Sequence, residues 1–247
     1  MGLHFSVEGE GQNVVFLHGF LESSTMWRSL PLNNLPFRCI FIDLPGHGSS
    51  PMIESDDAPS MEAMALKVIE VLEALKISDF NLVGHSMGAY VGLVVKEKMK
   101  GCQKMVFLNS NCWTDDENKR RDRERIAKFA FTSKDIFIRE AIPNLFADKV
   151  KSAVYINHLI EEAKQISPDA IAYSALAMST RKDYSNEVKN NPLNYLFLHG
   201  DLDKLVSTEL LLARLEDEKL VRIISNSGHM THVENPNAVL ETLLFLL

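Results

Sequence analysis

A serine set between two glycines, in Gly84-His85-Ser86-Met87-Gly88, is where this sequence most plainly offers covalent chemistry. The pattern alone is weak, because glycine and serine are common. Its surroundings strengthen it. An apolar run, Phe80 to Val83, leads in, and a helical pattern from Ala89 to Met99 leads out. A serine on so tight a strand-to-helix turn must take strained dihedrals, and Gly84 and Gly88 relieve the crowding around it. The turn lifts the hydroxyl clear of the strand ends, where the helix N-terminus favours developing negative charge. The plainer alternative is a glycine-rich turn carrying a bystander serine.

A hydroxyl becomes a useful nucleophile only when a base takes its proton. Eight histidines are available. His229, in Ser227-Gly228-His229, lies just past the last apolar run, on a loop that can reach Ser86. His232 is the rival and reads as a surface residue on the following helix. His18, His47, His85 and His199 each adjoin a glycine at a strand end and are expected to brace loops through backbone hydrogen bonds. His4 and His158 carry no pattern. The imidazole in turn needs a carboxylate on its other nitrogen, to fix the tautomer and stabilise the cation. Leu198-His199-Gly200-Asp201-Leu202-Asp203 offers two acids, Asp203 and Asp201, and the alternative that both form an Asx turn. An oxyanion needs backbone donors. The N–H of Met87 is one. The second is expected from His18-Gly19-Phe20-Leu21, where Gly19 permits a bend that turns the Phe20 N–H inward; a plain turn is an equal reading.

These residues need a scaffold. Val14 to Leu17, Cys39 to Ile42, Phe80 to Val83, Met105 to Leu108, Leu196 to Leu198 and Val221 to Ile224 are short runs, nearly all apolar. Strands without alternation are buried on both faces, as in a parallel sheet covered by helices. Between them, Met61, Ala65, Val68, Leu72 and Leu75 recur at helical spacing behind Ser60, a suitable N-cap. Asn235-Pro236 opens a last helix, with proline where its missing N–H costs nothing. The fold class is therefore α/β: a mostly parallel central sheet flanked by helices. The N-terminal stretch, Met1 to Gln12, is strand-like and has no basic start before an apolar run, so a secretory signal is not expected.

The alternation stops between about Trp113 and Lys189. Residues 113–189 read as a helical cap or lid of about four helices over the carboxyl ends of the strands, with 1–112 and 190–247 as the core. Helix starts are expected at Thr114, where Thr114 to Glu117 forms a capping box, at Ser133, and at Ser167-Pro168. Asp116/Arg120 and Glu117/Arg121 are spaced as ion pairs. The mixed charges from Asp115 to Arg125 read as a solvated face.

The composition excludes several function classes. The 247 residues carry 26 basic against 33 acidic side chains, a net charge of −7, and no basic stripe, so nucleic acid is not expected as a partner. No apolar stretch approaches the ~20 residues of a membrane helix. Three cysteines, Cys39, Cys102 and Cys112, are odd in number and suit free thiols in a reducing cytoplasm. No ligand cluster or dinucleotide motif implies a metal or organic cofactor.

The motifs together resemble the α/β-hydrolase superfamily, in its serine-nucleophile branch. They are His18-Gly19-Phe20, Asp43 to Ser50 (DLPGHGSS), Gly84 to Gly88, Gly200 to Asp203 and Gly228-His229, in that family's order along nearly the whole chain. The resemblance implies that Asp203, three positions after Gly200, is the acid, giving the order Ser86, Asp203, His229. It implies that Phe20 and Met87 N–H groups form the oxyanion hole and that the insertion is the cap. A serine at 86 argues against the haloalkane dehalogenases and epoxide hydrolases of this fold, which carry an aspartate there. Ala89-Tyr90 follows Gly88 where an arginine would suggest the carbon–carbon lyases of menaquinone synthesis. The expected function is cleavage of an ester-type bond in a small, apolar substrate. Phe129, Phe131, Phe137, Leu145, Phe146, Tyr155, Leu159, Tyr173 and Met178 supply the cap's apolar surface. Alternatives with the same three residues are a lactonase, a thioesterase, a carbon–carbon hydrolase, or a slowly hydrolysing receptor. The sequence does not speak to oligomeric state.

Overall fold

The computed structural model describes residues 2–54 and 57–247; Met1, the first residue of the strand-like N-terminal stretch, lies outside them, as do Ser55 and Asp56. All six apolar runs are strands. They are β2 (Gln12–Leu17), β3 (Phe37–Ile42), β4 (Phe80–His85), β5 (Cys102–Leu108), β6 (Tyr195–Gly200) and β7 (Val221–Ile224), preceded by β1 (Phe5–Glu8). The sheet order is β1-β3-β2-β4-β5-β6-β7, with every neighbouring pair parallel except β1 against β3. β1 is mostly exposed, as an antiparallel edge strand can be.

Successive strand residues point to opposite faces, and both faces are covered from β2 to β6. The run Val221 to Ile224, expected to be buried on both faces, is instead the edge strand β7, with Arg222 and Ile223 exposed. Val15 and Leu17 enter one core with Met64, Val68 and Leu72 of α1 (Met61–Ala74) and with α2 (Met87–Lys98). Val14 and Phe16 enter the other, against Trp27 and the C-terminal Val239, Leu243 and Leu246. Each fully buried side chain of this kind contributes roughly 1.5–3 kcal/mol before entropy is subtracted. The apolar tail is packed as expected, with Leu243 and Leu246 buried. All three cysteines are buried free thiols, each pushed up to about 12 by burial. Among the described residues, no helix is long and apolar enough to cross a membrane.

Between β5 and β6 the described chain holds helices and no strand: α3 (Glu117–Thr132), α4 (Lys134–Ala141), α5 (Ala153–Ala163), α6 (Pro168–Ser179) and α7 (Ser185–Asn190), with a 3-10 turn at Ile142–Leu145. That is five α-helices rather than about four. Ser167 caps α6 as expected, accepting from the Ala170 N–H at 3.1 Å. Thr114 does not cap α3. Asp116 does, accepting from the Lys119 N–H at 2.9 Å. Glu117 pairs with Arg121, whereas Asp116 meets Arg120 only through a backbone bond. Asp115 is pulled inward, buried against Arg123 (3.1 Å) and Arg181 (2.8 Å). Ser133 precedes α4 without a side-chain cap, and α5 starts after Ser152 with none either. A third apolar cluster joins the insertion to the loops of the sheet: Ile138, Ile142, Phe146 and Ile171 pack with Leu21 and Met230.

After β6 come α8 (Thr208–Leu215), and after β7 the short α9 (Thr231–Glu234) and α10 (Pro236–Leu243). Pro236 opens α10 as expected, although the Asn235 side chain makes no capping bond.

Candidate active site

Phe20, Ser86, Asn109, Asp203 and His229 all follow the carboxyl ends of parallel strands, where open α/β sheets present ligand sites. Ser86 sits at φ 48°, ψ −115°, a conformation held only where the surroundings over-determine it. The close packing that does so is visible at its two glycines. A side chain on Gly84 would meet the Ala89 backbone at 2.5 Å, and one on Gly88 would run into the Leu17 and His18 carbonyls. The Ser110 hydroxyl adds a tie, donating to the Ser86 carbonyl at 2.8 Å.

His229 is buried, and its Nδ1 lies 2.8 Å from Asp203 Oδ2. An ionised carboxylate only accepts, so Nδ1 carries the proton and Nε2 is the free nitrogen. Burial alone would push the Asp203 carboxyl up; the charge and hydrogen bond of His229 outweigh it and hold it far below the usual carboxylate range. Oδ1 of Asp203 also accepts the Leu205 and Val206 N–H groups, at 2.8 and 3.2 Å. Asp201 instead accepts the Ser227 N–H at 3.2 Å, with no bond to His229. Between the two acids, the geometry joins Asp203 to the imidazole.

His232 is not a surface residue. It is fully buried, neither ring nitrogen has a hydrogen-bond partner among the described residues, and burial lowers it to about 3. Its ring packs against His85, Trp27 and Tyr155. The other four strand-end histidines do brace loops. His18 Nδ1 lies 2.8 Å from the Gly19 carbonyl, His47 Nδ1 3.0 Å from that of Pro45, His85 Nε2 3.0 Å from that of His229, and His199 Nε2 2.9 Å from that of Val206.

The amides of Phe20 and Met87 take no acceptor among the described residues, which leaves both available to a ligand oxygen. The bend beside Phe20 differs from the expectation. Gly19 is needed for space, since a side chain there would meet Glu22 Oε2 at 2.5 Å and His85 Nδ1 at 2.7 Å. The left-handed residue is Leu21, at φ 65°.

Ser86 and His229 open on one cavity of about 480 Å³, within the range of small-molecule sites. No hydrogen bond joins Ser86 Oγ to His229 Nε2 among the described residues; such contacts commonly tighten only when substrate binds. Of the apolar insertion residues named from the sequence, Phe137, Leu145 and Met178 line the cavity, together with Ile126 and Ile142. Phe129 and Phe131 are exposed instead. The charged face of α3 is not wholly solvated: Lys119, Asp122 and Arg123 line the cavity, as does Lys204. A larger groove of about 850 Å³ lies beyond Glu22, lined by Asp43, Thr25 and Glu162, and Ser86 is not on it. Among the described residues, no group of three His, Cys, Asp or Glu side chains is disposed to hold a metal ion.

Three contributors escaped sequence reading. Asn109, at φ 48°, donates through Nδ2 to Asp203 Oδ2 (3.1 Å) and to the Gly228 carbonyl (3.0 Å), so it ties Asp203 to the loop that carries His229. Its signal was a polar cluster, Asn109-Ser110-Asn111, directly after an apolar strand. Glu234 accepts the Gly228 N–H at 2.6 Å and the Ala147 and Asp148 N–H groups at 2.8 and 3.0 Å. The His229 N–H donates to the Leu145 carbonyl at 2.7 Å, so the insertion and the His229 loop are stapled together. Glu22, the third, is buried in the loop after β2.

Known proteins carry the same architecture. The model of the alpha/beta hydrolase family matches residues 14–242. A relative from Haemophilus influenzae, named as a putative 2-succinyl-6-hydroxy-2,4-cyclohexadiene-1-carboxylate synthase, is 28% identical over 240 residues, covering 90% of this chain and 92% of its own. A thermophilic esterase from Thermogutta terrifontis superposes with a TM-score of 0.86 at 25% identity, covering 98% of this chain and 91% of its own. An enol-lactonase from Burkholderia xenovorans superposes at 0.83 and 19% identity, covering 99% and 96%.

Proposed function

The chain belongs to the alpha/beta hydrolase family, a family of enzymes acting on small molecules, and we propose that it is a serine hydrolase cleaving an ester-type bond through an acyl-enzyme. The observation that carries this reading is the 2.8 Å bond from Asp203 to His229, with His229 and Ser86 on one cavity wall. In it, His229 Nε2 takes the Ser86 proton as Oγ attacks the carbonyl carbon. The Phe20 and Met87 amides hold the resulting oxyanion. Collapse expels the alcohol, protonated by His229, and leaves the acyl group on Ser86. A water molecule, deprotonated by the same nitrogen, then releases the acid and restores the serine. Asp203 holds the ring and stabilises its cation throughout.

Phe137, Ile142, Leu145 and Met178 favour an apolar acyl or alcohol group. The buried free thiols suit a reducing compartment, the cytoplasm. A second reading, a lyase resembling the 2-succinyl-6-hydroxy-2,4-cyclohexadiene-1-carboxylate synthases, draws on the Haemophilus relative and on Lys119, Arg123 and Lys204, which would suit substrate carboxylates. Tyr90 weighs against it, standing where an arginine marks those lyases. A panel of p-nitrophenyl esters, thioesters and lactones separates the readings. Ester turnover by wild type and none by Ser86→Ala supports the hydrolase; a wild type inert to the whole panel overturns it.

A further inference from the structure

His85 holds one of the two positions that the Gly84-to-Gly88 pattern leaves open, yet it is almost fully buried and both its ring nitrogens are engaged. Nδ1 lies 2.8 Å from Glu22 Oε2, and Nε2 lies 3.0 Å from the main-chain carbonyl of His229. The carbonyl can only accept, so Nε2 carries a proton. Glu22 Oε2 accepts a second bond, from the Gly19 N–H at 2.6 Å. Burial would lower the His85 imidazole, but Glu22 reverses this and raises it; burial would raise Glu22, and His85 instead brings it down to about 2. Nε2 thus meets a carbonyl, and Nδ1 a carboxylate oxygen that already accepts from Gly19. That geometry suits an imidazolium facing a carboxylate, and both shifts run in that direction. One buried pair thus joins three pieces of chain: the loop bearing Phe20, the turn bearing Ser86, and the main chain of the base.

A buried ion pair is by itself weak evidence for stability, because desolvation offsets much of the attraction. What this pair grips is more telling. Its bonds end on Gly19, one residue before the Phe20 amide, and on His229 itself, rather than on the outer scaffold. It closes around a loop held at positive φ by Leu21, and it leaves Gly19 no room for a side chain. The neighbouring His232 ring packs at 5.2 Å from His85 and makes no polar contact that could substitute.

We propose that Glu22 and His85 are positioning residues that set the distance between the oxyanion-binding loop and the main chain of His229. The inference rests on the serine-hydrolase reading above. Gln at position 22 can still accept from both Gly19 and His85 through its one carbonyl oxygen, but it lacks the negative charge that faces the imidazole. It also puts an NH2 group at the buried Oε1 position, which has no hydrogen-bond partner among the described residues. Gln at position 85 keeps one donor near the His229 carbonyl and loses the pair. The test is kcat and KM for p-nitrophenyl acetate in Glu22→Gln, His85→Gln and the double variant, with active sites counted by a fluorophosphonate. Displacement by about an ångström costs on the order of 10²-fold. Each single variant is therefore expected to lose about 10- to 100-fold in kcat per counted site, with KM within about threefold. Because the two act as one unit, the double variant should be no worse than the poorer single. A kcat per counted site within about twofold of wild type, or losses that multiply in the double variant, overturns the proposal. If Glu22→Gln does not fold, His85→Gln decides by the same criterion. A wild type that neither turns over the ester nor takes up the fluorophosphonate overturns the hydrolase reading and this inference with it. Normal wild-type turnover with unaffected variants overturns the inference alone.

Discussion

At the scale of residues, the acid is the most exposed part of the argument. Asp203 accepts four bonds, from His229, Asn109, Leu205 and Val206, whereas Asp201 only steadies the Ser227 amide. Asp203→Asn would present an amide to Nδ1 and favour the wrong tautomer, so kcat is expected to fall by about 10⁴-fold with the fold intact. Asp201→Asn is expected to leave kcat within about threefold. Steady-state kinetics on the two variants decides, and the reverse ranking would reassign the acid. Ser86, His229 and the pair of acids were legible because nucleophile and base chemistry draws on few residue types, and these stand at strand ends. Asn109, Glu22 and Glu234 were not, because their worth lies in partners far away in sequence. His232 misled for the same reason: nothing near it in the chain tells that Trp27, Tyr155 and His85 close over it.

At the scale of elements, β2 to β6 could be read because burial on both faces demands unbroken apolar runs, a demand local enough to see. By contrast β7, read the same way, is an edge strand with Arg222 and Ile223 exposed. Helix starts in the insertion were harder. Thr114 has the capping pattern, but Arg123 and Arg181 draw Asp115 inward, and the helix begins at Glu117 behind Asp116. The helix α5 has no capping bond at Ser152 and is fixed by Ile156, Leu159 and Ile160 packing into the third apolar cluster. That cluster and the Glu234 staple tie the insertion to the base loop. Glu234→Ala would leave three backbone N–H groups without their acceptor. Each unmet buried donor costs roughly 1–3 kcal/mol, and water reaches this half-buried site, so about 1–3 kcal/mol in all is expected. A urea titration measures it, and an unchanged midpoint would mean that the staple holds nothing.

At the scale of the whole molecule, the buried ionisable groups set how stability varies with pH. Glu22 has its folded value lowered from 4.5 to about 2, and Asp203 is lowered from 3.8, so what they contribute is present above those ordinary values and lost as acid titrates the folded state. His85 has the opposite sign: raised from 6.5, it contributes fully below that value and less as the pH climbs through its folded one. Glu22→Gln removes the pair's share at once. Its deficit in melting temperature should therefore be widest between pH 4.5 and 6.5 and should narrow toward pH 2 and in alkali. Thermal melts across that range check the shape, and a deficit that widens in acid would contradict it. The claim on which the rest depends is that Ser86 is the nucleophile. Intact-mass measurement after incubation with a fluorophosphonate tests it most directly, followed by mapping of the modified peptide. One adduct per chain on Ser86, none in Ser86→Ala and markedly slower uptake in His229→Ala is the predicted result. Equal labelling of Ser86→Ala, or an adduct on another residue, would contradict the account.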